Sequence, residues 1–221
     1  MTDRKLYSYE ACPFAQRTRI ALHEKGLDFD LTEIDLSEGK PDWFAEISPY
    51  GKVPLLLDGK TRFYESAIIN EYLDEQYPEP PLMPDAPEDR AQARIWMHYC
   101  EAYFLGALFG LRAAKDDEKK LADAKAKVAE RLTFIETEGL AKLSRGGPFF
   151  LGDQFTLVDI QYAPFFERMS VYEALWGLAI PADLKRLNAW TAALRKRPSV
   201  RQTARDADYH LDRMKRMLKV A

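Results

Sequence analysis

The segment RKLYSYEACPFAQRTRIALHEK, residues 4–25, places a cysteine and a proline between a short apolar stretch and an amphipathic one. Residues 5–8 predict a β-strand, residues 10 and 11 a turn, and residues 13–25 a helix. Pro13 suits the first turn of a helix, because a backbone N–H is not needed there. The pattern therefore places Cys12 at or just before the amino end of a helix.

The predicted position of Cys12 has a chemical consequence. The positive end of the helix dipole and the amides of the first turn favour a thiolate over a thiol. A cysteine at such a position usually has a lowered pKa and is a better nucleophile at neutral pH. The alternative to a reactive cysteine is a buried structural cysteine at a strand–helix junction. The order strand, cysteine, proline, helix favours a reactive cysteine.

The residue three positions after Cys12 decides between two kinds of redox site. A dithiol motif carries a second cysteine there, whereas this chain has Ala15. No neighbouring thiol could then resolve a mixed disulfide on Cys12, so an external thiol is required. The sequence predicts a monothiol site that depends on a small thiol partner.

Composition excludes several classes of function. The chain has 221 residues and a formal net charge of −3, which offers no excess of positive charge for nucleic acid or anionic lipid. No apolar run approaches the roughly 20 residues that span a bilayer, and the first residues lack a secretory pattern. The chain has two cysteines, and an unpaired thiol indicates a reducing compartment. We therefore expect a cytoplasmic protein without nucleic-acid or membrane partners.

The distribution of strand and helix patterns predicts two domains. Residues 1–77 alternate strand and helix in the order βαβαββα, which is a compact α/β domain, and Ser66 is the expected N-cap of its last helix. Residues 78–87, PEPPLMPDAP, predict a stiff proline-rich linker. Residues 88–221 carry helical periodicity with almost no strand signal, so an all-helical domain that begins with one long helix is expected there. Residues 156–159, TLVD, predict a capping box within it.

Several motifs together resemble the glutathione transferase superfamily. They are CPFAQR at 12–17, KPDWF at 40–44, SPYGKVP at 48–54, YES at 64–66 and the capping box at 156. The cysteine segment is most similar to that of the omega class and of the plant dehydroascorbate reductases. The resemblance implies a thioredoxin-like domain (βαβαββα) followed by a C-terminal α-helical bundle domain, with glutathione as cosubstrate and a homodimeric assembly.

The resemblance also implies which residues bind the tripeptide. Ser66 is expected to bind its γ-glutamyl carboxylate, and Glu65 is expected to bind the adjacent ammonium. Alternatively, Ser66 only caps the helix and Glu65 is a solvated acid. The peptide bond between Val53 and Pro54 is expected to be cis, so that the backbone of Val53 pairs with the cysteinyl residue of glutathione. Lys52 would neutralise the glycyl carboxylate, or it is a solvated turn lysine.

Four aromatic residues are further candidates. Phe14 either lines the thiol pocket or packs under the first turn of the helix. Tyr7 invites comparison with transferases that hold the glutathione thiolate with a tyrosine hydroxyl, but with Cys12 present an ordinary sheet aromatic is expected. The layout of the family implies that Tyr99 and Tyr103 form the acceptor pocket.

No metal site is expected, because the three histidines, His23, His98 and His210, are scattered along the chain. Cys100 lies on the apolar stripe of a predicted helix, so we expect it to behave as a small hydrophobic residue. Cys12 is accordingly the predicted catalytic residue.

The predicted activity is glutathione-dependent thiol transfer by a single cysteine. The Cys12 thiolate would attack a disulfide or another small electrophilic acceptor such as dehydroascorbate, and glutathione would then release the enzyme. Cleavage of glutathione conjugates, by a lyase or reductive dehalogenase with the same cysteine, is the alternative within enzymes. Residues 65–75, ESAIINEYLDE, and residues 80–84, PPLMP, also resemble stringent starvation protein A, an RNA polymerase-associated regulator. That regulator is the alternative outside enzymes, whereas relatives that enter membranes as chloride channels are disfavoured because no segment could insert.

Overall fold

A computed structural model of the chain describes residues 3–35 and 39–219. The described amino-terminal part contains four strands, which are β1 (Arg4–Ser8), β2 (Asp30–Glu33), β3 (Leu55–Asp58) and β4 (Thr61–Tyr64). It also contains three helices, which are α1 (Pro13–Glu24) after β1, α2 (Asp42–Ile47) after β2 and α3 (Ser66–Gln76) after β4. This is the predicted order βαβαββα.

The four strands form one mixed sheet in the order β2-β1-β3-β4. β1 and β2 are parallel, with Ser8 opposite Glu33, and α1 is the crossover between them. β3 runs antiparallel to both β1 and β4, and Gly59, with a φ of +57°, lies in the turn between β3 and β4. Because β1 is an inner strand, its carboxyl end is held on both sides where the chain leads into Cys12.

The described residues after α3 form helices α4 (Pro87–Tyr99), α5 (Leu105–Ala113), α6 (Glu118–Phe134), α7 (Ala141–Leu143), α8 (Leu157–Glu167), α9 (Met169–Trp176), α10 (Lys185–Lys196), α11 (Pro198–Thr203) and α12 (Ala207–Leu218). The fold class predicted from the sequence, an α/β domain followed by an α-helical one, is confirmed. Two π-helical segments, Cys100–Phe104 and Ile135–Leu140, join α4 to α5 and α6 to α7. The long helix expected from residue 88 therefore runs without a non-helical residue from Pro87 to Ala113, and it contains a π-helical segment that apolar periodicity does not show.

The chain divides into two compact units. The first unit contains the residues up to Leu82 together with Pro198–Ala204, and the second contains Met83–Arg197 together with the residues from Arg205 onward. Within the first unit α11 packs against α1, and the Ser199 hydroxyl donates a hydrogen bond to the carboxylate of Glu24. This contact joins residues far apart in the chain, and no local sequence pattern indicates it.

A buried ion pair fastens the proline-rich segment to the rest of the first unit. The fully buried side chain of Lys25 pairs with Asp74 and donates to the carbonyl of Pro80 at 2.7 Å. Asp74 also accepts a hydrogen bond from the N–H of Leu82 at 2.7 Å. Each buried charge thus has both a counter-charge and a further hydrogen-bond partner, which is the condition for a buried ion pair to be tolerated. The path of the chain after α3 is fixed by these contacts.

The capping box at the start of α8 organises the core of the second unit. Asp159 is fully buried and accepts hydrogen bonds from the N–H and the hydroxyl of Thr156, at 2.8 and 3.0 Å. The same carboxylate accepts the N–H of Phe150 at 3.0 Å and the indole N–H of Trp190 at 2.7 Å. Burial raises the pKa of the Asp159 carboxyl, and these four donors oppose that rise. The predicted capping box is confirmed, and its carboxylate also joins α8 to α10.

Asp159→Ala should strongly destabilise the protein, because four buried donors lose their acceptor. We expect the free energy of unfolding to fall by about 3–5 kcal/mol in urea denaturation. Asp153→Ala removes an exposed carboxylate from the preceding loop and is the matched control, with an expected change below about 0.5 kcal/mol. Equal stability of the two variants would contradict the organising role of Asp159.

Candidate active site

Cys12 is the N-cap of α1, and Pro13 is the first residue of that helix. The N–H of Cys12 donates to the carbonyl of Tyr9 at 2.9 Å, and its carbonyl accepts the N–H of Gln16 at 3.0 Å. Its side chain is partly exposed, and Sγ lies 3.9 Å from the carbonyl oxygen of Val53. The thiol therefore lies at the amino end of a helix, as the sequence predicts.

An open cleft within the first unit adjoins this thiol through Val53. Its lining residues come from α1, from the loop before β3 and from the junction of β4 with α3: Phe14, Ser48, Tyr50, Lys52, Val53, Pro54, Tyr64, Glu65 and Ser66. All six residues that were predicted to bind glutathione are in this set. The other three are Ser48, Tyr50 and Tyr64, which the sequence analysis does not single out. Tyr50 and Tyr64 form an exposed edge-to-face pair with ring centroids 5.1 Å apart, so together they form part of the cleft wall.

The loop that carries Val53 is closed by a serine. The Ser48 hydroxyl donates to the carbonyl of Lys52 at 3.0 Å and accepts the N–H of Lys52 at 3.1 Å. The peptide bond between Val53 and Pro54 is cis, as the resemblance implies. Val53 and Pro54 are buried while the side chain of Lys52 is exposed, so the loop presents one cation at the cleft beside a fixed backbone.

Glu65 and Ser66 form the start of α3 at the cleft. Ser66 is the first residue of the helix and Glu65 is its N-cap, so the predicted N-cap at Ser66 is wrong by one residue. The Ser66 hydroxyl is buried and accepts a hydrogen bond from Nη1 of Arg17 at 3.4 Å. Glu65 is exposed and has a φ of +68°, a conformation that residues other than glycine rarely adopt. Backbone conformations of this kind cluster at ligand-binding sites.

Arg17 is a buried cation at the cleft that the sequence analysis does not single out. Its side chain is fully buried, and its guanidinium carbon lies 5.0 Å from the centroid of the Phe14 ring. Phe14 lines the cleft and contacts the Arg17 guanidinium. Because the Ser66 oxygen accepts from Arg17, the proton of the Ser66 hydroxyl is directed to another acceptor.

The remaining tyrosine candidates differ in exposure. Tyr7 is buried in the core of the first unit, with the ring centroid of Phe44 5.9 Å away, as expected for a sheet aromatic. Tyr99 belongs to the second unit, is buried, and stacks on Phe134 at 4.9 Å. Tyr103 stacks on Tyr99 at 5.4 Å and is half exposed. Of the two predicted acceptor residues, only Tyr103 has a ring that a solute could contact readily.

Both cysteines, Cys12 and Cys100, are free thiols. Cys100 is fully buried in the second unit, as expected for a small hydrophobic residue. The described part of the chain contains no cluster of histidine, cysteine, aspartate and glutamate that could hold a metal ion. Nor do its helices include one that is long and apolar enough to cross a membrane.

Family models and known proteins match the chain over most of its length. Residues 6–81 match the glutathione S-transferase N-terminal domain, and residues 118–193 match the glutathione S-transferase C-terminal domain. The chain is 33% identical over 205 residues to glutathione S-transferase U12 of Arabidopsis thaliana, covering 90% of this chain and 80% of that protein. It is 34% identical over 196 residues to glutathione S-transferase omega-1 of Mus musculus, covering 88% and 77%. The chain belongs to the glutathione S-transferase family.

Two solved structures and a third relative are also similar to this chain. A tau-class glutathione S-transferase from mango, Mangifera indica, has a TM-score of 0.90 and 30% identity, covering 97% of this chain and 98% of its own. A rice glutathione transferase in complex with glutathione has a TM-score of 0.86 and 29% identity, covering 99% of each chain. A stringent starvation protein A homolog from Haemophilus influenzae is 34% identical over 164 residues, 74% of each protein. Enzymes of this family use glutathione as cosubstrate, and both the tau and omega classes are among the relatives.

Proposed function

We propose that this protein is a glutathione-dependent thiol transferase of the omega-like kind whose nucleophile is the thiolate of Cys12. The observation that carries the proposal is the position of Sγ, at the amino end of α1 and 3.9 Å from the Val53 carbonyl at the cleft. Ala15 stands where a dithiol site has its second cysteine, so glutathione itself must complete the reaction.

In this proposal glutathione lies along the cleft in an extended conformation. The Ser66 hydroxyl and the first amides of α3 bind the γ-glutamyl carboxylate, and the carboxylate of Glu65 binds the adjacent ammonium. The backbone of Val53 pairs with the cysteinyl residue, which brings the glutathione sulfur toward Cys12. Lys52 is placed to neutralise the glycyl carboxylate. The support is that all of these residues line one cleft next to one thiol.

The reaction has two exchange steps. The Cys12 thiolate attacks the glutathionyl sulfur of a mixed disulfide, so a Cys12–glutathione disulfide forms and the original S–S bond breaks. The departing thiolate takes a proton and leaves as the reduced acceptor. A second glutathione thiolate then attacks the bound glutathionyl sulfur, which regenerates the Cys12 thiolate and releases oxidised glutathione. With dehydroascorbate as acceptor, two glutathione molecules are oxidised to one disulfide and the acceptor gains two electrons.

Two alternatives differ from thiol transfer in their chemistry or in their class of function. In a conjugate lyase or reductive dehalogenase, the same thiolate attacks the sulfur of a glutathionyl thioether, and the carbon leaving group takes a proton. The stringent starvation protein A homolog supports a regulator that binds RNA polymerase, in which the cleft has lost its catalytic use. Assays of the purified protein with a glutathionyl disulfide, dehydroascorbate and phenacyl-glutathione distinguish the enzyme reactions from one another. If the protein neither binds glutathione nor turns over any of the three, a pull-down with RNA polymerase becomes the deciding test.

Cys12→Ser should abolish thiol transfer, because an alcohol at this position is a far weaker nucleophile than a thiolate. We expect turnover to fall by about 10³-fold or more, while the Kd for glutathione changes by less than about threefold. A coupled assay for oxidised glutathione and titration calorimetry measure the two quantities. Cys100→Ala is the matched control and should retain both. Near-normal turnover in Cys12→Ser would contradict the mechanism and make Tyr7 the next nucleophile-positioning candidate.

Ser66→Ala should weaken glutathione binding, because the γ-glutamyl carboxylate loses a charge-assisted hydrogen bond of about 1.5–3 kcal/mol. The Kd measured by calorimetry is expected to rise roughly tenfold or more. Ser170→Ala, at an exposed position on α9, is the control and should bind glutathione like the wild type. An unchanged Kd in Ser66→Ala would remove Ser66 from the binding site.

We also propose a cytoplasmic homodimer. The two free thiols fit a reducing compartment. Ile68 on α3 is 60% exposed and Ile95 on α4 is 55% exposed, and large apolar side chains at such exposure favour burial in an interface. A two-fold arrangement is the commonest closed symmetry of soluble oligomers.

Light scattering at micromolar concentration should give twice the chain mass of 25.5 kDa. The double variant Ile68→Glu, Ile95→Glu should shift the protein to the monomer mass, because each charge would have to be buried in the interface. Ser170→Glu introduces the same charge at an exposed polar position on α9 and should leave the dimer intact. A wild-type mass near 25.5 kDa would exclude the dimer.

A further inference from the structure

Arg19 is a buried cation whose guanidinium contacts the turn that leads to Cys12. Its side chain is only 7% exposed, although it lies on a helix whose sequence shows no reason to bury a charge. Nη1 donates to the Ser8 hydroxyl at 2.5 Å and to the Tyr9 carbonyl at 3.2 Å, and Nη2 donates to the Glu10 carbonyl at 3.2 Å. One side chain therefore contacts three consecutive residues, the last one of β1 and the two that follow it.

The opposite side of this turn is held by Glu33 at the end of β2. The N–H of Glu10 donates to the carboxylate of Glu33, so the two polar groups of the Glu10 backbone contact opposite charges. Burial raises the pKa of the Glu33 carboxyl, the charge of Arg19 lowers it, and Asp35 raises it. Arg19 from α1 and Glu33 from the end of β2 thus contact the turn with opposite charges, and Asp35 follows β2 close enough to act on the Glu33 carboxylate.

Arg19 and Cys12 share one hydrogen-bond acceptor. The Tyr9 carbonyl accepts Nη1 of Arg19 at 3.2 Å and the N–H of Cys12 at 2.9 Å. A displacement of this carbonyl would disturb the hydrogen bond that orients the backbone of Cys12. The same carbonyl is contacted by a side chain two helical turns further along the chain.

We propose that Arg19 is a positioning residue for the Cys12 thiol, because its planar guanidinium fixes residues 8–10 and so holds Cys12 at the amino end of α1. This inference rests on the proposed function, in which Cys12 is the nucleophile. Arginine suits the task because its fork of N–H donors reaches three acceptors at fixed angles. A lysine keeps the charge but offers one ammonium group, which cannot bond all three acceptors in this geometry.

The test compares Arg19→Lys with Arg168→Lys. Arg168 is also buried, at 6% exposure, and donates to the carbonyl of Pro164 at 2.5 Å in the second unit. Both variants make the same chemical change at a buried arginine that bonds a carbonyl. The rate of iodoacetamide alkylation is measured between pH 5 and 10 by mass spectrometry at Cys12 and at Cys100, together with the thermal midpoint of each protein.

We expect the wild-type Cys12 to react with a midpoint below the ordinary thiol pKa of about 8.5. Arg19→Lys should raise that midpoint and slow Cys12 alkylation at pH 7 about fivefold or more, without speeding the reaction of Cys100. Arg168→Lys should lower the thermal midpoint and leave the Cys12 profile unchanged. The Ser8→Ala variant removes one of the three acceptors, should slow Cys12 about twofold, and decides the matter if Arg19→Lys does not fold.

Two results separate this inference from the proposed function. A wild-type midpoint at or above about 8.5 overturns the thiolate nucleophile, and the role of Arg19 with it. If the wild-type midpoint is lowered but neither Arg19→Lys nor Ser8→Ala changes it, only the role of Arg19 is overturned. An equal shift of the Cys12 profile in Arg168→Lys also overturns it, because general loosening of the fold would then be the cause.

Discussion

The passage of the chain from β1 into α1 is the constraint on which the site depends. β1 is paired on both sides, so its carboxyl end has one position in the sheet. The next residues must turn within a few positions so that Pro13 can begin the helix with Cys12 as its N-cap. A helix begun in this way presents its positive end to the sulfur. Loosening of the turn would leave the thiol in the chain but remove the helix-terminal environment on which its proposed reactivity depends.

The cleft combines three segments that the sheet brings together. The first carries the thiol, the second is the loop that ends at Pro54, and the third is the start of α3 at Ser66. Arg17 links the first segment to the third through Ser66, and Val53 adjoins the thiol. A tripeptide with a thiol between two carboxylates is the ligand proposed for this cleft, with Lys52 and Ser66 as the proposed contacts of its two ends.

Local patterns in the sequence predicted the order of strands and helices, because alternation and helical periodicity follow directly from which faces are buried. They also predicted Cys12 at a helix start and the capping box at Thr156. The cleft residues came from the resemblance of short motifs. Arg17 and Arg19 could not be found this way, because an arginine on a helix is ordinarily solvated and only the folded chain shows its partners. The same holds for Ser66, whose hydroxyl bonds Arg17 rather than its own helix.

The membership of α11 in the first unit has a consequence for the order of events during synthesis. Residues 198–204 pack with an α/β unit whose other residues end at Leu82, so more than a hundred residues emerge from the ribosome between the two parts. The contacts between α1 and α11 cannot form until α11 has been synthesised. In most multidomain proteins the amino-terminal domain folds on its own while the rest is still being synthesised. Here the amino-terminal unit cannot fold completely in that way, because it lacks α11. The helical unit, although second in the chain, is nearly all synthesised before the first unit receives its last element.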